Sequence, residues 1–79
     1  MKEYMLVIDR HPAKDRALFL STSDEVFNAA ITILYYGARR IEAYRRYGDK
    51  EYRPLPRVNA FFESTRLEFE QKGYGGRNP

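Results

Sequence analysis

Gly37 constrains the fold of this chain more than any other residue. The stretch before it, STSDEVFNAAITILYYG from Ser21 to Gly37, reads as a helix with both ends marked. Ser21, Thr22 and Ser23 offer a hydroxyl N-cap, and Asp24 and Glu25 follow at the positive end of the helix dipole. Phe27, Ala30, Ile31 and Leu34 fall at helical spacing, and Val26 and Ile33 widen the apolar stripe. Gly37 stands where a glycine can take the left-handed conformation that closes a last turn.

Two readings of the next residues compete. If the helix ends at Gly37, residues 38–55 form a hairpin. Ile41, Ala43 and Arg45 then point one way, and Arg40, Glu42, Tyr44 and Arg46 the other. Tyr47 to Lys50 supply the turn, and Glu51 to Leu55 return. The alternative is a helix over residues 24–47, since Phe27, Ala30, Leu34, Gly37, Ile41 and Tyr44 keep a three-four spacing. That helix would carry a glycine in its interior, at about 1 kcal/mol relative to alanine. The hairpin is preferred, because the N-terminal strands need further partners to form a stable sheet.

Those strands come first in the chain. Residues 4–8, YMLVI, are a short β-branched apolar run, expected to be buried on both faces. DRHPAKDR is a polar turn with a proline, and residues 17–21, ALFLS, form a second strand pairing antiparallel with the first. Beyond the hairpin, Pro54 and Pro56 keep the returning strand short or at an edge. A second helix runs from the Pro56–Asn59 region to Gly73, with Val58, Phe61, Phe62, Thr65 and Phe69 as its inner stripe. The expectation is an α+β domain of order ββαββα over residues 1–72, a mainly antiparallel four-stranded sheet with two helices on one face. Residues 73–79 form a flexible glycine-rich tail. Strand order is not readable.

Composition bounds what such a domain can do. Of 79 residues, 43% are hydrophobic and 15% aromatic, enough for one small core. There is no cysteine, so disulfides and thiolate metal sites are excluded. No apolar run approaches the ~20 residues of a membrane span. Glu3 and Asp9 bracket the first apolar run, and no small-residue cleavage site follows it. These features predict a soluble, cytoplasmic protein.

Catalytic signals are absent. The single histidine, His11, lies in a predicted turn, where a solvated loop role is the simplest account. It anchors no nucleophile–base spacing. Asp9, Asp15, Asp24 and Glu25 could converge near one end of the sheet, but each has a simpler role at a strand end, turn or helix start. No glycine-rich phosphate loop stands between a strand and a helix. The expectation is a non-enzymatic protein without cofactor or metal. The segment from Arg53 to Arg57, RPLPR, has the look of a short proline-rich ligand. Stiffening the exit from a strand into a helix is its simpler role.

The net charge of +3 is unevenly placed. Residues 31–58 carry seven basic and three acidic groups, while the flanking segments are near neutral. Arg39, Arg40, Arg45, Arg46, Lys50, Arg53 and Arg57 are interleaved there with Tyr44, Tyr47 and Tyr52. Arginine offers bidentate contacts to phosphate or carboxylate, and tyrosine a flat ring with a polar tip. An ordinary solvated sheet face, with arginine stems over apolar surface, is the bland account of the same residues. The functional expectation is a basic Arg/Tyr surface over residues 39–57, docking on DNA or RNA or on an acidic protein surface. Adjacent Tyr35 and Tyr36, and adjacent Phe61 and Phe62, cannot all point inward. Surplus aromatic surface of this kind marks an interface, a homodimer among the options. In size and order of elements alone, the chain resembles small phage and mobile-element proteins that dock on host machinery.

Overall fold

In the computed structural model Gly37 ends the first helix, and the chain beyond it returns as strands. The elements follow as β1 (Tyr4–Asp9), β2 (Arg16–Leu20), α1 (Ser23–Tyr35), β3 (Arg40–Arg45), β4 (Arg53–Pro54) and α2 (Pro56–Gln71). The structure describes residues 2–9 and 16–74. The predicted turn holding His11 and Asp15, and the last five residues of the expected tail, lie outside them. The four strands form one antiparallel sheet in the order β2-β1-β3-β4. This is the α+β arrangement expected from sequence, with the strand order now fixed.

Both helix ends of α1 are built from local chemistry. The Thr22 hydroxyl accepts from the Glu25 N–H at 3.2 Å, and the Glu25 carboxylate accepts from the N–H groups of Thr22 (3.2 Å) and Ser21 (2.9 Å). This reciprocal capping box satisfies donors that the first helical turn leaves free. At the other end Gly37 has φ 102°. Its N–H donates to Leu34 O (3.0 Å), and the Ala38 N–H donates to Ile33 O (3.2 Å). That pair of bonds is a Schellman closure, and it needs the positive φ that glycine takes without strain.

The same closure ends α2. Gly73 has φ 79°, and its N–H donates to Glu70 O (3.1 Å) while the Tyr74 N–H donates to Phe69 O (2.9 Å). The Tyr74 and Phe69 rings meet at 5.2 Å, the apolar contact that accompanies this motif. Gly73 therefore stops the helix as expected, and Tyr74, expected in the tail, completes the closure.

The two helices cover one face of the sheet. Tyr4, Leu6 and Ile8 of β1 and Ile41 and Ala43 of β3 meet Val26, Ala30 and Leu34 of α1 and Phe62 of α2. Burial along β1 alternates, so the expectation of burial on both faces is corrected: Met5, Val7 and Asp9 face away from the helices and stay partly exposed. A run of apolar residues does not distinguish a strand covered twice from one covered once. The inner stripes are also corrected. Phe27 and Phe61 lie on the outer α1–α2 seam, with ring centroids 5.8 Å apart, and Phe61 is 50% exposed. Phe62 is 1% exposed and belongs to the core. Tyr35 packs on Phe69 (6.2 Å) and Tyr74 (5.0 Å), which ties the ends of α1 and α2 together, and Tyr36 stands edge-on to it at 66% exposure.

The returning strand is shorter than Glu51–Leu55. Only Arg53 and Pro54 pair with β3, because Pro54 lacks an N–H and Pro56 already starts α2. The proline-rich segment is thus a strand-to-helix join. The β3 backbone is then satisfied by another route. Ala43 N–H donates to Asn59 Oδ1 at 2.6 Å, and Asn59 Nδ2 donates to Ala43 O at 3.3 Å. The Leu55 N–H also donates to Ala43 O at 3.0 Å, so the Asn59 amide completes the pairing at Ala43 chiefly by accepting from its N–H. Among the described residues, no helix is long and apolar enough to cross a membrane.

Candidate nucleic-acid interface

The strand register divides the basic stretch in two. Arg40 pairs with Asp9 at one end of the sheet, and Arg45 pairs with Tyr4 at the other. Five residues of strand separate Arg40 from Arg45, roughly 17 Å at the rise of a β-strand. Arg39 and Arg40 therefore stand apart from Arg45, Arg46, Tyr47, Lys50, Tyr52, Arg53 and Arg57. Arg40 is also partly neutralised by Asp9 at 3.8 Å.

The second group forms a dense cationic end. Arg45 is the direct cross-strand partner of Arg53. Its guanidinium lies between two tyrosine rings, 5.1 Å from the Tyr4 centroid and 4.4 Å from that of Tyr47. Glu3 meets it at 3.4 Å. Arg46 lies over the ring of Tyr52 at 4.9 Å. The Nε atoms of Arg45 and Arg46 are buried without a hydrogen-bond partner among the described residues. Stacking on rings holds these guanidinium groups in place, and Arg45 Nη2 donates to Glu3. Lys50, Arg53 and Arg57 are exposed. Arg57 is the only charged residue in the first turn of α2, which carries no acidic residue and no side-chain cap. A cation there opposes the helix dipole.

The connection between β3 and β4 folds back across the start of β1. The Tyr52 hydroxyl donates to Lys2 O at 2.8 Å, and the Tyr52 ring lies 5.9 Å from that of Phe19 on β2. That bond fixes the Lys2 backbone at the cationic end, where the Lys2 charge also acts on the Glu25 carboxylate. Six basic side chains (Lys2, Arg45, Arg46, Lys50, Arg53 and Arg57) share this end with Glu3, Asp49 and Glu51, and Asp24 and Glu25 start α1 at the same end of the sheet.

Tyr44 lies on the uncovered face of the sheet beside this end. Its hydroxyl donates to Glu42 at 3.3 Å. Burial, with the neighbouring Glu42 carboxylate, pushes the phenol above its ordinary range, so it stays neutral and keeps that bond.

Phe19 was not among the residues singled out from sequence. It is 48% exposed on the uncovered face, paired with Met5. Strand alternation alone sets Phe19 opposite in facing to Leu18 and Leu20. Knowing that its side is the uncovered one requires the sheet order. The described carboxylates do not converge: Asp9 ends β1 at one end of the sheet, while Asp24 and Glu25 start α1 beyond Leu20 at the other, and Asp15 lies outside the described residues. Among the described residues no three histidine, aspartate or glutamate side chains are grouped to hold a metal ion. In comparisons with known proteins the chain matches no family model, no curated protein and no solved structure.

Proposed function

We propose that this protein is a non-enzymatic, cytoplasmic binding protein that docks its cationic sheet end on a polyanion, most simply nucleic acid. The observation that carries the reading is the Arg45–Arg53 opposition. Like charges directly opposite on a sheet destabilise it, and a cation in the first turn of a helix does the same. Glu3 and two tyrosine rings already offset the Arg45 charge, so Arg53 and Arg57 are left with the local cost that a bound phosphate chain relieves. Arg46, Lys50 and Lys2 extend the contact, and Tyr47 and Tyr52 hold the guanidinium groups in orientation.

Titration of a labelled oligonucleotide at several salt concentrations tests this. Affinity falls steeply with ionic strength, with a slope set by the number of phosphates neutralised. Absence of binding at low salt overturns the reading.

An acidic protein surface is the second reading, a second copy of this chain or a host protein docked by a phage-type inhibitor included. Strand β2 favours it. This five-residue edge strand exposes Leu18 on one face and Phe19 on the other. Such an edge is a template for strand pairing, whereas β4 at the opposite edge is two residues long and ends in proline. Leu18→Lys abolishes association of this kind and leaves polyanion binding intact.

A further inference from the structure

We infer that the uncovered face of the sheet binds a single strand of nucleic acid, with bases stacked along the row Phe19–Met5–Tyr44. The inference rests on the polyanion reading and assigns the site a ligand class and a new residue, Phe19.

The register arranges this face in rows across the strands. The row nearest the cationic end is Phe19, Met5, Tyr44 and Pro54, with no charge in it. The next is Ala17, Val7 and Glu42, and the one beyond holds Asp9 and Arg40. Successive rows are about 7 Å apart. The aromatic row thus lies between an arginine-rich sheet end, where Glu3 stands across from Arg46, and rows holding Glu42 and the Asp9–Arg40 pair. A single strand laid along the first row puts its phosphates against Arg46, keeps them clear of Glu42 and Asp9, and meets Glu3 only where Arg45 already engages it. Its bases meet Phe19 and Tyr44, about 10 Å apart at two strand spacings. Tyr52, close to Phe19, closes the row where it meets the cationic end.

A duplex does not fit this arrangement, because its bases are already stacked and their faces are closed to protein rings. Aromatic side chains beside a cationic track are the physical basis of single-strand binding, and stacking tolerates any base. The hydroxyls of Tyr44 and Tyr52 are both engaged as donors within the protein. Neither has a proton left to donate to a sugar hydroxyl, and ring stacking does not depend on the sugar, so DNA and RNA single strands are expected to bind alike.

Fluorescence anisotropy with a labelled twelve-residue oligothymidylate, the matching ribo-oligomer and a twelve-pair duplex at low salt tests the assignment. Both single strands are expected to bind at least tenfold tighter than the duplex. Phe19→Ala lowers single-strand affinity by roughly tenfold and leaves duplex affinity unchanged. Phe19→Leu, which keeps the apolar area of β2 but removes the ring, gives a similar loss with an unchanged circular dichroism spectrum. Equal binding of single strand and duplex, with neither Phe19 variant affecting either, overturns the inference and leaves the polyanion reading standing. Binding of no probe overturns both. Self-association lost in Phe19→Ala, with no single-strand preference, assigns the face to a second copy and also overturns the inference.

Discussion

Arg45 and Arg53 face each other directly across the β3–β4 ladder, two cations on one side of a sheet. Glu3 lies against Arg45, and Arg53 has no ion-pair partner among the described residues. A pair of this kind weakens the sheet by a few tenths to about 1 kcal/mol. Its cost to folding and its use in binding are therefore separable by mutation.

Arg53→Ala separates them. Removing the exposed guanidinium relieves the repulsion, so chemical denaturation shows stability unchanged or raised by up to about 1 kcal/mol. Oligonucleotide affinity falls, and the slope of log affinity against log salt decreases by about one. A variant that loses stability and affinity together makes Arg53 a structural residue.

Asn59 is expected to be among the most sensitive polar positions. Its Oδ1 accepts from the Ala43 N–H, and Asn59→Ala leaves that N–H without its partner in a part-buried site while Ala43 O keeps the Leu55 N–H. The expected cost is about 1–3 kcal/mol in urea unfolding. Asn59→Asp keeps the acceptor but turns a carboxylate toward the Ala43 carbonyl, and is expected to be no better than alanine.

Adjacent phenylalanines of α2 should behave very differently. Phe62→Ala empties a filled core position and costs about 3–5 kcal/mol, a large part of the stability of so small a domain. Phe61→Ala loses its seam contact with Phe27, about 1–2 kcal/mol. Thermal unfolding of the two variants side by side measures the gap, and similar losses would contradict the assigned packing.

Features set by local chemistry were legible in the sequence. Gly37 announced a helix end because the closure needs a residue free to take positive φ, and the hydroxyls of Ser21, Thr22 and Ser23 before Asp24 and Glu25 announced the start. Pro54 announced a strand that could not extend. Features set by who lies next to whom were hidden. Asn59 reads as an ordinary helical residue until β4 is seen to stop short of Ala43. Phe19 reads as core until β2 is placed at an edge. The basic stretch reads as one surface because sequence proximity conceals that a strand carries Arg40 and Arg45 to opposite ends of a sheet.

Acid weakens the start of α1. The N–H groups of Ser21 and Thr22 hold the Glu25 carboxyl below its ordinary range. A carboxylate whose pKa is depressed by folding stabilises the native state above its unfolded value, and that contribution is lost as pH falls through the folded value. Glu25→Ala is therefore less stable than the parent near neutral pH, and the difference narrows below about pH 4. Glu25→Gln retains an acceptor for the two N–H groups and restores part of the difference independently of pH. Melting temperatures across that range provide the check.

The bond from Tyr52 to Lys2 O has a practical consequence. It holds the beginning of the first strand under the aromatic corner formed with Phe19. A purification tag fused ahead of Lys2 would emerge beside the ligand and blunt every titration described above. The far end of α2 is the place for a handle.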